Sequence, residues 1–364
     1  MDRAAKTYFM IAFLLTVIGM IMVFNVKVFN SVSADEIALV QLRSLLLNML
    51  IAAAVFTVTC TVKLEMLRNN IIWILLLGFV LLVLTFLIGT TVNGSKRWID
   101  LRVMMLQPSE LIKLIGVFYL SSIIESKIKN GEKLKELFFP LVIMGLYAGL
   151  IAIEDLGTAT LIGLITLLML FIAGYDKRSM CIIAILGIIA FTGYVFMDGK
   201  SYRVMRMQSF INPWAVAKSW GYQNVQSLAA IGMGGLYGKG FGNSTKKITV
   251  LPEAHTDFIF AVFCEEFGLV GSIVLILLFV GLLVLGVYFA RKMRNRFNFY
   301  LISGYTLLIG IQTLVNLGVV TSSLPNKGVP LPFISYGGTS LVVNWAIIGF
   351  VLNAVMSDKK EQIS

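Results

Sequence analysis

The stretch "LPEAHTDFIF", Leu251 to Phe260, places Glu253, His255 (the only histidine of the chain) and Asp257 just before a strongly apolar run. A carboxylate so placed can take a proton from a hydroxyl, and an imidazole can do the same near neutral pH. Each residue also has an ordinary reading: Glu253 as a first-turn acid favoured by the helix dipole, His255 as a satisfied polar residue, Asp257 as part of a helix start. Spacing separates them. With a helix beginning near Pro252, Asp257 lies a turn or more inside it, beyond the capping positions and on one face with Ala261 and Glu265. Partial desolvation at that depth would raise its proton affinity and make it a better base than a fully solvated aspartate.

Three further stretches carry groups suited to phosphate and sugar. "NGSKRWIDLRVMMLQPSELIKL" holds Arg97, Trp98, Glu110 and Lys113. Pro108 to Glu110 reads as an ordinary helix start, and Trp98 suits an interfacial position. Lys113 shares a helix face with Glu110, and an ionisable residue at membrane depth is a functional candidate by default. Two readings stand open for it, a structural Glu–Lys pair and a phosphate-binding lysine. "YRVMRMQSFINPW" and "GYQNVQSLAAIGMGG" add Arg203, Arg206, Gln223 and Gln226; guanidinium forks match phosphate, and amides match sugar hydroxyls. "LPNKGVPLPFISYGGTSL", with Ser335, is rich in proline and glycine, as suits a segment lining a cavity.

Other chemistries find no support. In "GMGGLYGKGFG" Tyr237 stands where the third glycine of a dinucleotide loop belongs, so these glycines fit tight turns or a close backbone approach. There is no H-E-x-x-H, no paired Cys/His set and no G-x-S-x-G, so neither a tightly held zinc nor a serine triad is expected. Cys60, Cys181 and Cys264 build no disulfide framework.

The elements that must position these groups are membrane helices. Hydrophobic residues make up 58% of the chain and charged residues 13%, and only helices or closed barrels satisfy the backbone in lipid. Apolar stretches between polar breaks give ten candidate spans: 8–28, 44–62, 71–90, 108–125, 137–153, 156–174, 179–197, 258–290 (overlong), 300–321 and 336–356. "EDLG" at Glu154 to Gly157 reads as a tight turn, and no cleavable signal peptide is expected. The reading is an all-α integral membrane protein, 1–364 as one polytopic domain, with one long extracytoplasmic loop at about 198–257 between spans seven and eight. Lys and Arg crowd the loops on the side of both termini, which makes that side cytoplasmic. The net charge of +11 then needs no nucleic acid to explain it.

"NGSKRWIDL…QPSELIKL", "EDLGTA", "GYQNVQSLAAIGMGGLYGKGFG", "LPEAHTDFIFAVFCEEFGLVG" and "GVPLPFISYGGTSL" resemble, in order and over nearly the whole chain, the signature blocks of the SEDS family, the RodA, FtsW and SpoVE proteins of shape, elongation, division and sporulation. The resemblance implies a peptidoglycan glycosyltransferase of the bacterial cytoplasmic membrane. It would polymerise lipid II at the outer face beside a class B penicillin-binding transpeptidase and other division, elongation or sporulation proteins. It also implies that Asp257 is catalytic. A divalent cation such as Mg²⁺ would come with the substrate diphosphate rather than in a dedicated cage. Two departures, Ile153-Glu154 ahead of Asp155 and the first span's ending "VFNVKVFNS", bear on the subfamily. A lipid-precursor flippase and a non-enzymatic scaffold are the rival readings. Small residues of spans eight and nine (Gly281, Gly286, Ser303, Gly304) are expected to face the partner's helix.

Overall fold

The computed structural model describes residues 3–29, 34–92, 95–102, 104–130, 138–196, 205, 209–246 and 251–363. Its helices are α1 (Arg3–Phe29), α2 (Ala34–Thr61), α3 (Leu64–Asn69), α4 (Ile71–Ile88), α5 (Pro108–Lys129), α6 (Phe138–Glu154), α7 (Leu156–Ile172), α8 (Lys177–Phe196), α9 (Tyr222–Gly234), α10 (Ile259–Lys292), α11 (Arg296–Val320) and α12 (Gly338–Ile363). Each candidate span contains a helix among its described residues. Among the described residues six helices are long and apolar enough to cross a membrane: Arg3–Lys27, Leu39–Thr61, Ile71–Ile88, Ile259–Lys292, Arg296–Val320 and Gly338–Lys359. α6 and α7 are shorter apolar helices. The turn expected at "EDLG" is there, because Asp155 ends α6 and caps α7, accepting from Thr158 N at 3.0 Å.

α5 has a lower apolar content because its neighbours are protein. It packs against α4, α7, α11 and α12, and buries Glu110, Lys113, Ser121 and Ser122 along with its aliphatic residues. α4, by contrast, exposes Ile72, Trp73, Leu76 and Leu77, as a lipid-facing helix must.

The all-α membrane fold is there, with details the spans did not foretell. A small antiparallel sheet, β1 (Thr90–Val92), β2 (Ser95–Asp100) and β3 (Met105–Leu106), fills the connection between α4 and α5. The long loop contains a short 3-10 turn (Pro213–Val216) and α9. The overlong eighth span is two helical pieces, 259–267 and 269–292, separated at Gly268 with φ 66° and ψ −165°. Of the small residues expected to face a partner, Gly286 and Gly304 are spent inside: a Cβ at Gly286 would meet Thr306, and one at Gly304 would meet Val117 and Met169, while Gly281 and Ser303 are half-buried.

The break at Gly268 explains the glycine-rich stretch. Residues 235–240 lie against it as a strap: Leu269 N donates to Gly235 O at 2.9 Å, Val270 N to Leu236 O at 3.1 Å, Lys239 N to Glu265 O at 2.9 Å and Gly240 N to Glu266 O at 3.0 Å. The strap thus supplies partners to helical groups that the break leaves without them. A Cβ at Gly238, itself at φ 78°, would run into the Glu266 carbonyl. The glycines permit close approach, and what they approach is the protein's own backbone.

Candidate functional site

Asp257 precedes the helix rather than lying within it. α10 starts at Ile259 after Phe258, and residues 252–258 form turns, with Glu253 at φ 56°. The argument from depth inside a helix, and the shared face with Ala261 and Glu265, fall with that start. The backbone of this segment is fixed by the connection between α11 and α12. Ser335 Oγ donates to Thr256 O at 2.6 Å and accepts from Leu331 N at 2.7 Å, while Tyr336 N donates to His255 O at 2.9 Å. Asn316, fully buried, donates to Asp257 O at 2.9 Å and to Val329 O at 2.8 Å. A Cβ at Gly328 would stand 2.9 Å from Asp257 Oδ2, so glycine lets the connection lie directly against the carboxylate.

Asp155 and Gly157 also lie beside residues 327–329. The Cβ position of Gly157 is 3.3 Å from Val329 Cγ2 and 3.5 Å from Lys327 Cβ. Lys327 Nζ donates to Thr160 Oγ1 at 3.2 Å. Burial holds its ammonium below the usual lysine range, and Asp155 opposes that shift. Arg97, from β2, reaches Asp155 Oδ2 at 3.8 Å, and its buried Nε has no partner. Arg97, Lys96, Ser109, Glu154 and Asp155 line a cleft of about 310 Å³. A second cleft, of about 330 Å³, lies between α1, α2 and residues 333–337. Asp257 lines neither.

For Lys113 the structure builds the ion pair. Its ammonium is 2.7 Å from Glu110 Oε1 and 3.0 Å from Gln312 Oε1, with the lysine and glutamate side chains 1% and 3% exposed. Gln312 in turn donates to Pro330 O at 3.0 Å, so the pair supports the same connection from within the bundle. Gln223 accepts from Asn326 at 2.7 Å and Gln226 from Lys246 at 2.9 Å, tying α9 to its neighbours. Trp98 is half-buried in β2 opposite Thr90. Glu253 accepts from Thr256 Oγ1 at 2.7 Å. Arg203 and Arg206 lie outside the described residues.

The His255 ring lies tilted, 5.7 Å from that of Tyr336, and the Lys27 ammonium is 3.1 Å from the Tyr336 ring centre. Burial first, and Lys27 second, push the imidazole below its ordinary value. Its charged form is disfavoured here.

Asp155, Lys27, Lys327 and Asn316 are site residues that the sequence reading did not pick out. Asp155 read only as part of a turn, and Lys27 and Lys327 only as loop charge. Asn316 had a usable signal, an amide in an apolar run. Among the described residues no group of three His, Cys, Asp or Glu side chains gathers to hold a metal ion.

Residues 5–360 match the cell cycle protein family of FtsW, RodA and SpoVE. The chain is 42% identical to the probable peptidoglycan glycosyltransferase FtsW of Coxiella burnetii over 287 residues, covering 77% of each chain. It is 34% identical to the stage V sporulation protein E of Bacillus subtilis over 348 residues, covering 94% of each. Among solved structures it resembles a chain of a peptidoglycan synthase complex that coordinates polymerization and crosslinking, at 23% identity and TM-score 0.79, covering 96% of this chain and 97% of that one. It also resembles the rod shape determining protein RodA of Thermus thermophilus, at 24% identity and TM-score 0.69, covering 96% of each.

Proposed function

This chain belongs to the FtsW, RodA and SpoVE family, and from that premise we propose that it is a peptidoglycan glycosyltransferase that polymerises lipid II into β-1,4 glycan strands. The observation that supports the mechanism is that residues 327–329 bring together the Asp257 carboxylate, against Gly328, and the Asp155 segment, against Lys327 and Val329, where Arg97 reaches Asp155. Asp257 takes the proton of the 4-hydroxyl of the acceptor N-acetylglucosamine. The freed oxygen attacks the anomeric carbon of the donor, the bond to the lipid diphosphate breaks, and an α-linked donor becomes a β-linked product. Undecaprenyl diphosphate leaves with the electron pair, and its charge is met by Arg97 and Lys327. The Asp257 proton then passes to water. Rigid backbone around the base keeps it in line with the acceptor, which is where a positioned group gains most.

A divalent cation such as Mg²⁺ would enter with the substrate diphosphate, and no step here depends on it. The orientation follows the loop charges: both termini are cytoplasmic, and the Asp257 side is extracytoplasmic. The partner is a class B penicillin-binding transpeptidase; division, elongation and spore cortex synthesis all use this chemistry.

Liposomes holding the purified protein and externally supplied labelled lipid II, with and without the transpeptidase, test the reading. Glycan ladders are expected. Label crossing the bilayer without ladders would mean a flippase, and neither result would leave a scaffold.

A further inference from the structure

The two pieces of α10 fix a height in the membrane. Residues 269–292 extend about 36 Å at the helical rise of 1.5 Å per residue, and they end in the exposed pair Arg291 and Lys292. With that pair at one interface, a hydrocarbon core of about 30 Å places the break at Gly268 at the opposite boundary. The strap is hydrogen-bonded to the first residues after this break. Three of its side chains have apolar bodies and stand open: Leu236 is 60% exposed, Tyr237 82% and Phe241 54%. They continue the exposed stripe of Leu269, Val270 and Ile273, which faces lipid.

We propose that the strap 236–241 is seated in the membrane boundary on the Asp257 side, with Leu236 and Phe241 among the acyl chains and the Tyr237 hydroxyl among the headgroups. A tyrosine ring suits that boundary because one end is apolar and the other polar. The seat sets the height of the reacting segment. Glu265, wholly buried, accepts from Lys239 Nζ at 2.7 Å, Ser244 Oγ at 2.5 Å, Thr245 Oγ1 at 2.8 Å and Lys246 N at 3.3 Å. Lys246 O then accepts from Leu251 N at 3.0 Å, at the start of the segment that ends in Asp257. A carboxylate that works on a lipid-linked substrate is thereby held at a fixed distance from the leaflet.

The test uses the unmodified protein in liposomes that contain a phospholipid with a diazirine near the ester end of one acyl chain. After photolysis, adducts are mapped by mass spectrometry. Residues 236–241 are expected to carry lipid adducts at the level of 269–273, about tenfold above the water-exposed Pro252, as boundary residues should. Adducts on 269–273 with the strap no more labelled than Pro252 would overturn the proposal. So would heavy labelling of Leu236 and Phe241 by a water-soluble diazirine in the same liposomes. Neither readout depends on glycan synthesis.

Discussion

Glu110 and Lys113 meet at 2.7 Å inside the bundle, whereas Asp155 and Arg97 stand 3.8 Å apart at the mouth of a cleft. Both pairs support the connection between α11 and α12, one through Gln312 and Pro330, the other through Gly157 and Lys327. Both side chains of the inner pair are desolvated, and removing one partner of such a pair costs about 3–5 kcal/mol. The outer pair is long, with Arg97 24% exposed, and a pair of that kind contributes at most about 1 kcal/mol to the fold. Its Nε, by contrast, is buried and unpaired, a standing demand for an acceptor that a diphosphate would meet. Under the proposed function, the same residue types serve stability where solvent is absent and ligand binding where it is near.

The largest effect expected from breaking this division lies with Asp257. Asp257→Asn should lower glycan polymerisation by about 10²- to 10⁴-fold, the contribution of a positioned base, with expression and membrane insertion unchanged. Parental rates of chain growth from the purified variant would make Asp257 structural.

Next comes the inner pair. Glu110→Ala should lose about 3–5 kcal/mol of folding stability, read as a lowered melting temperature in detergent. The double change Glu110→Leu with Lys113→Met should regain most of it and retain polymerisation. If the double variant is stable but inert, Lys113 binds phosphate after all, and the contrast between the two pairs collapses.

The outer pair should behave in the opposite way. Arg97→Gln is expected to raise KM for lipid II by roughly 10- to 100-fold, in keeping with the loss of a charge-assisted hydrogen bond, with little change in melting temperature. A fall in melting temperature as large as that of Glu110→Ala would place Arg97 in the structural class.

Gly328→Ala tests the side of the connection facing the base. The new methyl would stand 2.9 Å from Asp257 Oδ2 and displace a flexible carboxylate by a few tenths of an ångström. A fall of about tenfold in kcat with KM held is expected, because small misplacement of a reacting group is costly. An unchanged kcat would mean that this carboxylate position is not the reactive one.

The smallest effect is that of His255 on pH dependence. Its folded value is lowered, so between that value and the ordinary one near 6.5 the unfolded chain binds more protons. Stability should rise with pH through this window and level off above it. His255→Asn should flatten the rise in a series of melting curves; an identical slope would show that other groups produce it.

Much of this was legible along the chain. Long apolar runs dictate helices because lipid offers backbone groups no other partner, and "EDLG" breaks its run because Asp155 can cap α7. The stretches holding Arg97, Asp155, Asp257 and Lys327 could be picked out because polar groups in an apolar chain need a reason. The start of α10 could not be read. Pro252 looks like a first turn, but Glu253 takes a positive φ and contacts from Ser335, Tyr336 and Asn316 hold 252–258 as turns. Sequence spacing also misjudged Gly286 and Gly304, since a small residue permits close packing against any helix, and here the neighbours are Thr306, Val117 and Met169 of the same chain.

The chain by itself determined a bundle of membrane helices and the family chemistry, because hydropathy and local capping act between residues close in sequence. Which lysine is neutralised, which carboxylate faces the last connection and what the strap's glycines approach were decided only by the tertiary structure. Glu110 and Lys113 reach Gln312, and Asp257 reaches Gly328, across long stretches of chain. Electrostatic interactions depend on distance and solvent exposure in space, and neither is encoded in the separation of residues along a sequence.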